Sequence, residues 1–574
     1  MLLKTTRVAV CVVICVASGV GLLAAQTPQS PVEFVVQRNS APQWTAQEKA
    51  RGFVVCTDHW MRPMFDVFVP TREQIVTELS CALARDEYES LQVGVHALED
   101  LGPVKMTVEL DLPVQAYRFL YLDRELTVST SPGEGQRLLQ KQPVKMPYYL
   151  FPRAEHKQVD NGKTVGFWLT IQAPAQAAPG VHSGVVRITA NGQEVEVPLQ
   201  VTVRDFVLPR PDIAFGMYFD LQSRINKNYQ GPQYERMYYE DMAAHGMNSV
   251  SIYDDAHLLW DEEGQFNEPR MVEKFNMMTE AGLLDGTQPV MFLSGYWGSE
   301  KLRPKAAQIL RELRGLQQRH GWPHILLYGH DEPGGPFAPK IEEMQPWVQA
   351  DWEFVTAMHA PEAIEALAPY YAVIEVNARN ISRHTKDLVE KAGTEFWTYE
   401  CCAHGFSPAY ARCYPGLFSW NAGVKGNYVW AYTHAQGDDR DHYTVEPDGT
   451  VTINNGRWYS RAIPGADGPI PTIGWEAQRE GVDDYRYLQL LRDSAAAPDA
   501  DPALVSEVNQ WFEALKYLVR WYDLSGRHHV LVPENNDFDM MDFFDPYPQV
   551  TPQRYDQVRT EAADFVMRLG EGEG

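Results

Sequence analysis

Two adjacent carboxylates, Asp331 and Glu332, follow the short apolar run His324-Ile-Leu-Leu-Tyr328 within Gly329-His330-Asp331-Glu332-Pro333-Gly334-Gly335. Hydrolysis of a glycosidic bond needs a proton donor to the leaving oxygen and a negative group near the developing oxocarbenium charge, and a carboxyl pair can supply both. Neighbouring strand residues point to opposite faces, so both acids reach one pocket only where the chain leaves β geometry. Gly329, Pro333 and the two following glycines allow that departure. Paired catalytic carboxylates usually stand roughly 5 to 9 Å apart across the sugar, a separation that adjacent residues reach less naturally. A substrate whose own 2-acetamido carbonyl attacks the anomeric carbon removes that demand. Asp331 then only holds and polarises the acetamido N–H, and Glu332 supplies the proton if burial and its neighbour raise its pKa. A plain loop or helix-cap pair would use the same two residue types; the position after a strand favours chemistry.

A rival pairing uses Glu400, which follows Phe396-Trp-Thr-Tyr399. Glu332 as acid/base and Glu400 as nucleophile would form a retaining set for 2-hydroxyl sugars. A third reading is a carbohydrate-binding barrel without turnover. A sugar site also needs aromatic platforms and a few directed hydrogen bonds. Strand ends offer Asp220, Asp254, Asp255, Trp297, Asn377, Tyr399, Trp430 and Tyr432, with Tyr399, Trp430 and Tyr432 expected as walls of an acetamido pocket. His330 is expected to pack beside the pair and tune it. Asp438, Asp439, Asp441 and His442 read as a solvated loop rather than a calcium or substrate site.

These residues depend on a scaffold. After Leu208-Pro209-Arg210-Pro211, short apolar runs alternate with helical periodicity. Candidate strands cover 213–218, 249–253, 290–293, 325–328, 354–357, 372–376, 396–399 and 428–432, the eight that a closed (β/α)8 TIM-like barrel requires. Helices are expected over 272–281 and 306–316. In such a barrel the C-terminal strand ends carry the active site, which is where Asp331-Glu332 falls. Residues 26–209 read as an N-terminal β-sandwich of short strands, with Asn191-Gly192 as a two-residue hairpin turn and alternation at Val195, Val197, Leu199, Val201 and Val203. The barrel is expected over 210–475, with a loop-rich insertion at 434–468, and a helical extension over 476–574.

The chain opens with Lys4 and Arg7, an apolar run over 8–23 and small residues Ala24 and Ala25, the pattern of a secretory signal peptide over 1–25. Export to a periplasmic or extracellular site follows, with no membrane span in the mature chain. A formal net charge of -26 makes nucleic acid a poor partner. Fifteen Trp and 28 Tyr supply faces that stack on sugars as readily as they fill cores. Cys56, Cys81, Cys401, Cys402 and Cys413 remain after processing, an odd number. Cys56 with Cys81, or Cys413 with Cys401 or Cys402, are the pairings worth testing. No spacing suits zinc.

The arrangement resembles glycoside hydrolase family 123, the β-N-acetylgalactosaminidases. Asp331-Glu332-Pro333 after a barrel strand carries the likeness, with Leu83-Ala-Arg-Asp-Glu-Tyr-Glu-Ser-Leu-Gln92, Ala178-Pro-Gly-Val-His-Ser-Gly184 and Trp475-Glu-Ala-Gln-Arg-Glu-Gly-Val-Asp-Asp-Tyr485. The resemblance implies retention of configuration, Asp331 orienting the acetamido group, Glu332 as general acid and then base, a glycan or glycolipid substrate, and no metal or organic cofactor.

Overall fold

The computed structural model describes residues 34–130, 138–221, 230–253, 259–293, 295–401, 406–433, 443–445, 451–453, 460–531 and 544–570. The expected leader, Asp254, Asp255, Cys402 and the 438–442 acids lie outside the described residues.

The N-terminal half forms two sheets, one of six strands and one of five. Strands Gly180–Ala190 and Gln193–Val207 pair antiparallel from Ala190↔Gln193 outward, and the turn residues Asn191 and Gly192 take the positive φ values of 48° and 74° that such a hairpin needs. Period-two alternation then buries Val197, Leu199, Val201 and Val203. Those side chains share one apolar cluster with Phe53, Val93, Phe167 and Leu169 of the other sheet. Cys56 and Cys81 belong to different sheets and both are free thiols, as is the buried Cys413.

All eight expected barrel strands are present, and they close in sequence order as a parallel barrel. They are Ala214–Phe219, Ser249–Ile252, Val290–Phe292, Ile325–Tyr328, Phe354–Ala357, Val373–Asn377, Glu395–Glu400 and Gly426–Val429. The eighth starts and stops earlier than its sequence pattern indicates. Gly426 opens it because a Cβ there would lie 2.2 Å from the Trp397 indole, which stacks on Tyr428 inside the barrel at 5.7 Å. Gly426→Ala is therefore expected to destabilise the protein by about 1–3 kcal/mol through overpacking. A urea-denaturation midpoint equal to that of the wild type would show that the ring gives way freely.

Helices fill the outside of the barrel. Ala306–His320 buries Ile309, Leu310, Leu313 and Leu316 at helical spacing and stops at Gly321, φ 65°. The 272–281 helix is longer at its start, Glu268–Glu280, with the Asn267 side chain accepting from Arg270 N. The 434–468 stretch, expected as loop, contains a ladder of Tyr443–Val445 with Val451–Ile453, and its Ala462–Ile463 pairs with Ile470–Pro471 just beyond it. Its β-branched residues were outnumbered by Gly, Asp and Asn in the composition. No helix of the described residues is long and apolar enough to cross a membrane.

The helix Ile473–Ala495 is buried along almost its whole length. Its acids before the last turn are buried: Glu480 and Asp484 meet Arg559 of the last helix, Pro552–Gly570, and Arg559 also meets Glu87 and Glu89 of the strand Glu87–Ala97. Glu476 pairs with Arg479 and accepts from Thr170 Oγ1 at 2.9 Å. The two charged motifs Leu83–Gln92 and Trp475–Tyr485 thus serve assembly, joining N-terminal sheet, long helix and C-terminal helix through buried ion pairs.

Candidate active site

Strand Ile325–Tyr328 ends one residue before a close approach: a Cβ on Gly329 would lie 2.6 Å from the Tyr371 ring. The chain then leaves the sheet. His330 N donates to the Tyr371 hydroxyl at 3.2 Å, the Thr356 hydroxyl donates to the His330 carbonyl, and Glu332 N donates to Ala357 O at 3.1 Å. Glu332 has φ 40°, a left-handed conformation that costs a residue with a side chain roughly 1–2 kcal/mol. That departure places the side chains of Asp331 and Glu332 on one cavity instead of on opposite faces.

The cavity, of about 360 Å³, opens at the C-terminal ends of the strands. Tyr218 and Asp220 line it from the first strand, Tyr253 from the second, and Tyr328, Asp331 and Glu332 from the fourth. Ala357 comes from the fifth strand, Tyr399 and Cys401 from the seventh, and Trp430, Ala431 and Thr433 from the eighth. The Tyr328 hydroxyl donates to Asp331 Oδ1 at 2.8 Å and itself accepts from Ala357 N at 3.2 Å, so the carboxylate is held by a fixed donor. Burial raises the Asp331 pKa, the Tyr328 hydrogen bond opposes this, and the charge of Glu332 adds to the rise.

Glu332 differs. Its Oε1 accepts from the Tyr399 hydroxyl at 2.6 Å and lies 2.9 Å from His359 Nε2, while its side chain is 53% exposed. The His359 hydrogen bond, followed by partial burial acting the other way and then by Tyr399, brings its pKa down to about 2. The condition set for Glu332, a pKa raised by burial and its neighbour, is not met by the protein's own contacts: two donors on one oxygen outweigh burial of a half-exposed group, and Asp331 is the raised member of the pair.

Of the other expected residues, Tyr399, Trp430 and Asp220 line the cavity. Asn377 stands beside it: its Nδ2 donates to Cys401 Sγ at 3.4 Å and its Oδ1 accepts from Arg379 N at 2.9 Å. Three expectations are corrected by position. Tyr432 is wholly buried elsewhere, donating to Asp241 Oδ2 at 2.7 Å and packing edge-on against Trp475, because the eighth strand and its alternation stop at Val429. Trp297 packs behind the strand-four loop, 4.9 Å from the His330 ring and 5.2 Å from Phe354. Glu400 is 0% exposed and its Oε1 pairs with Arg461 at 2.7 Å, since alternation along strand seven turns Tyr399 inward and Glu400 outward.

Sequence reading missed His359, Tyr218, Tyr253, Tyr328 and Glu375. Glu375, fully buried below the cavity, accepts from the Tyr218 hydroxyl, and burial pushes its carboxyl up to about 8. The available signal was parity: Val373, Glu375 and Asn377 alternate on strand six, and an acid at an inward position of a barrel strand is unusual. Among the described residues no cluster of three or more His, Cys, Asp or Glu could hold a metal ion.

No protein-family model matches the chain, and no curated protein matches it in sequence. The fold is like that of a family 123 glycoside hydrolase from Clostridium perfringens, described in connection with glycolipid glycan hydrolysis. That likeness has a TM-score of 0.60 at 12% identity and covers 90% of this chain and 99% of the other. A family 39 glycoside hydrolase from Bacteroides cellulosilyticus aligns over 71% of this chain and 82% of its own at 9% identity, with a TM-score of 0.34 too low to carry an argument.

Proposed function

We propose, starting from a fold like that of a family 123 glycoside hydrolase, that this chain is an exported retaining glycosidase. It removes terminal β-linked N-acetylhexosamine, N-acetylgalactosamine first among candidates, from a glycan or glycolipid by substrate-assisted catalysis. The observation that carries the reading is the adjacency of Asp331 and Glu332 on one barrel-mouth cavity while Glu400 is buried against Arg461. Two acids this close suit an orienter and a proton donor better than an acid and a nucleophile on opposite sides of a sugar. In the first step Asp331, held by Tyr328, accepts from the acetamido N–H. The acetamido oxygen bonds to the anomeric carbon, the bond to the leaving oxygen breaks, and that oxygen takes the proton of Glu332, whose half-exposed carboxyl is desolvated by the bound sugar and so raised to its protonated form. In the second step Glu332 takes a proton from water as the water oxygen bonds to the anomeric carbon from the opposite face, and the bond between that carbon and the acetamido oxygen breaks to restore the acetamido group. Two displacements give retention.

The domain division that goes with this reading is a signal peptide over 1–25, a β-sandwich over 26–209, a TIM-like catalytic barrel over 210–475 and a helical extension over 476–574.

The test compares 4-nitrophenyl N-acetyl-β-galactosaminide and N-acetyl-β-glucosaminide with 4-nitrophenyl β-galactoside. Loss of the internal nucleophile is expected to slow the 2-hydroxyl substrate by at least about 10³-fold, a small part of what intramolecular attack can supply. Comparable hydrolysis of the 2-hydroxyl glycoside, abolished in Glu400→Gln, would replace this mechanism with the Glu332–Glu400 pair. Tight binding of N-acetylhexosamines with no turnover would make the chain a carbohydrate-binding protein.

A further inference from the structure

The contact between Glu332 and His359 has a direction. His359 Nε2 lies 2.9 Å from Glu332 Oε1, and the imidazole stacks on Tyr399 with centroids 5.7 Å apart. The Tyr399 hydroxyl is 2.6 Å from the same Oε1 and 3.3 Å from His359 Nε2. On its other side, His359 Nδ1 is buried with no hydrogen-bond partner among the described residues. A hydrogen on Nδ1 would be a buried donor without an acceptor, which costs more than a bare lone pair there. The neutral imidazole therefore carries its hydrogen on Nε2 and donates to Glu332. Two donors from two strand ends, the fifth and the seventh, converge on one carboxylate oxygen.

We propose that His359 is the positioning residue of the acid: its Nε2–H and the Tyr399 hydroxyl clamp Oε1 of Glu332, so that Oε2 is the atom presented to the glycosidic oxygen. This rests on the reading of Glu332 as general acid. The clamp fixes the rotation of the carboxyl group, which an exposed glutamate would otherwise share among several rotamers. It also stabilises the carboxylate left behind when the proton departs, and holds that carboxylate ready to take a proton from water in the second step. The other groups acting on the pair are Asp331 and Tyr328 from the fourth strand end and Arg379 beyond the sixth. Asp331 interacts with both Glu332 and His359, and Arg379 favours the Glu332 carboxylate. The Tyr328 hydroxyl is directed at Asp331 Oδ1.

The clamp is tested on the full-length resting protein by carboxyl ¹³C NMR with labelled glutamate, the Glu332 signal being identified by its loss in Glu332→Gln. In His359→Phe the Glu332 titration midpoint is expected to rise by at least about one pH unit, because a donor to the charged form is lost. In His359→Gln, which keeps a donor at similar reach, it should rise by less than half as much. The fall of kcat/KM with pH, which reports protonated Glu332, should move upward by the same distance in each variant. An unmoved midpoint in His359→Phe overturns the proposal, as does a lowered kcat/KM whose pH limb stays in place. Should phenylalanine prevent folding, His359→Leu carries the same expectation. If the midpoint moves but Glu332→Gln turns over at the wild-type rate, the acid assignment fails while the clamp on the carboxylate stands, so the two failures are distinguishable.

Discussion

Glu332→Gln is expected to lower kcat/KM by about 10²- to 10⁴-fold on an N-acetylhexosaminide whose leaving group is another sugar, and far less on the 4-nitrophenyl glycoside. A sugar alkoxide cannot depart without a proton, whereas 4-nitrophenolate can. With the aryl substrate the defect moves to the second step, where glutamine cannot accept the proton of water, so kcat falls while kcat/KM is largely kept. Asp331→Asn should behave differently, slowing both substrates alike, because the polarised acetamido group is needed whatever leaves. Gln at 332 also keeps the shape of the side chain and its contact with Tyr399, although His359 then meets an amide. Equal losses on both substrates for Glu332→Gln would mean that it positions the sugar and does not move a proton. Glu400→Gln serves as the contrast: its side chain is 0% exposed beside Arg461, so its effect should fall on stability and leave the leaving-group dependence intact.

Much of this could be read in the chain because barrel strands are short apolar runs that punctuation isolates. Ile325–Tyr328 and Phe354–Ala357 have the bounds that their sequence pattern gives. The location of Asp331-Glu332 followed from counting those runs. What could not be read was direction. Tyr432 is expected on the pocket because late barrel strands face the fourth across the site, but the eighth strand has already ended at Val429. Glu400 follows an inward tyrosine, and strict alternation, applied to strand seven alone, would have excluded it. His359 gave no signal because its partner is 27 positions away and meets it only through the pairing of the fourth and fifth strands, beyond which Glu332 N reaches Ala357 O. The pKa of Glu332 could not be read for the same reason: it depends on donors from the fifth and seventh strand ends that no local window contains.

The largest effect on the fold is expected at Arg559. Arg559→Met should destabilise the protein by about 3–5 kcal/mol near pH 8, measured as a lower urea midpoint, since it removes the cation and leaves its buried acids behind. The guanidinium lies 3.2 Å from Glu87, 2.9 Å from Glu89, 2.9 Å from Glu480 and 2.8 Å from Asp484, and it is 5% exposed. Even with Arg559 present, burial pushes Glu87 up to about 7, and Asp483 nearby to about 6. A raised folded-state pKa means that the folded protein binds more protons than the unfolded chain between the two pKa values, so stability falls as pH rises through that window. Without the arginine the window extends further upward, and the variant's deficit should be greatest above pH 8 and shrink toward pH 5, where the carboxyls are protonated in the folded state. Glu87→Gln in the Arg559→Met background should recover part of the loss, because it removes one stranded charge while keeping an acceptor for the Tyr487 hydroxyl, now 2.6 Å from Glu87. A deficit that stays constant between pH 5 and pH 8 would show that Arg559 acts through packing against Tyr487 and not through charge. Because the same guanidinium joins the strand Glu87–Ala97, the helix Ile473–Ala495 and the helix Pro552–Gly570, its loss should unfold these together and lower activity only as the folded fraction falls.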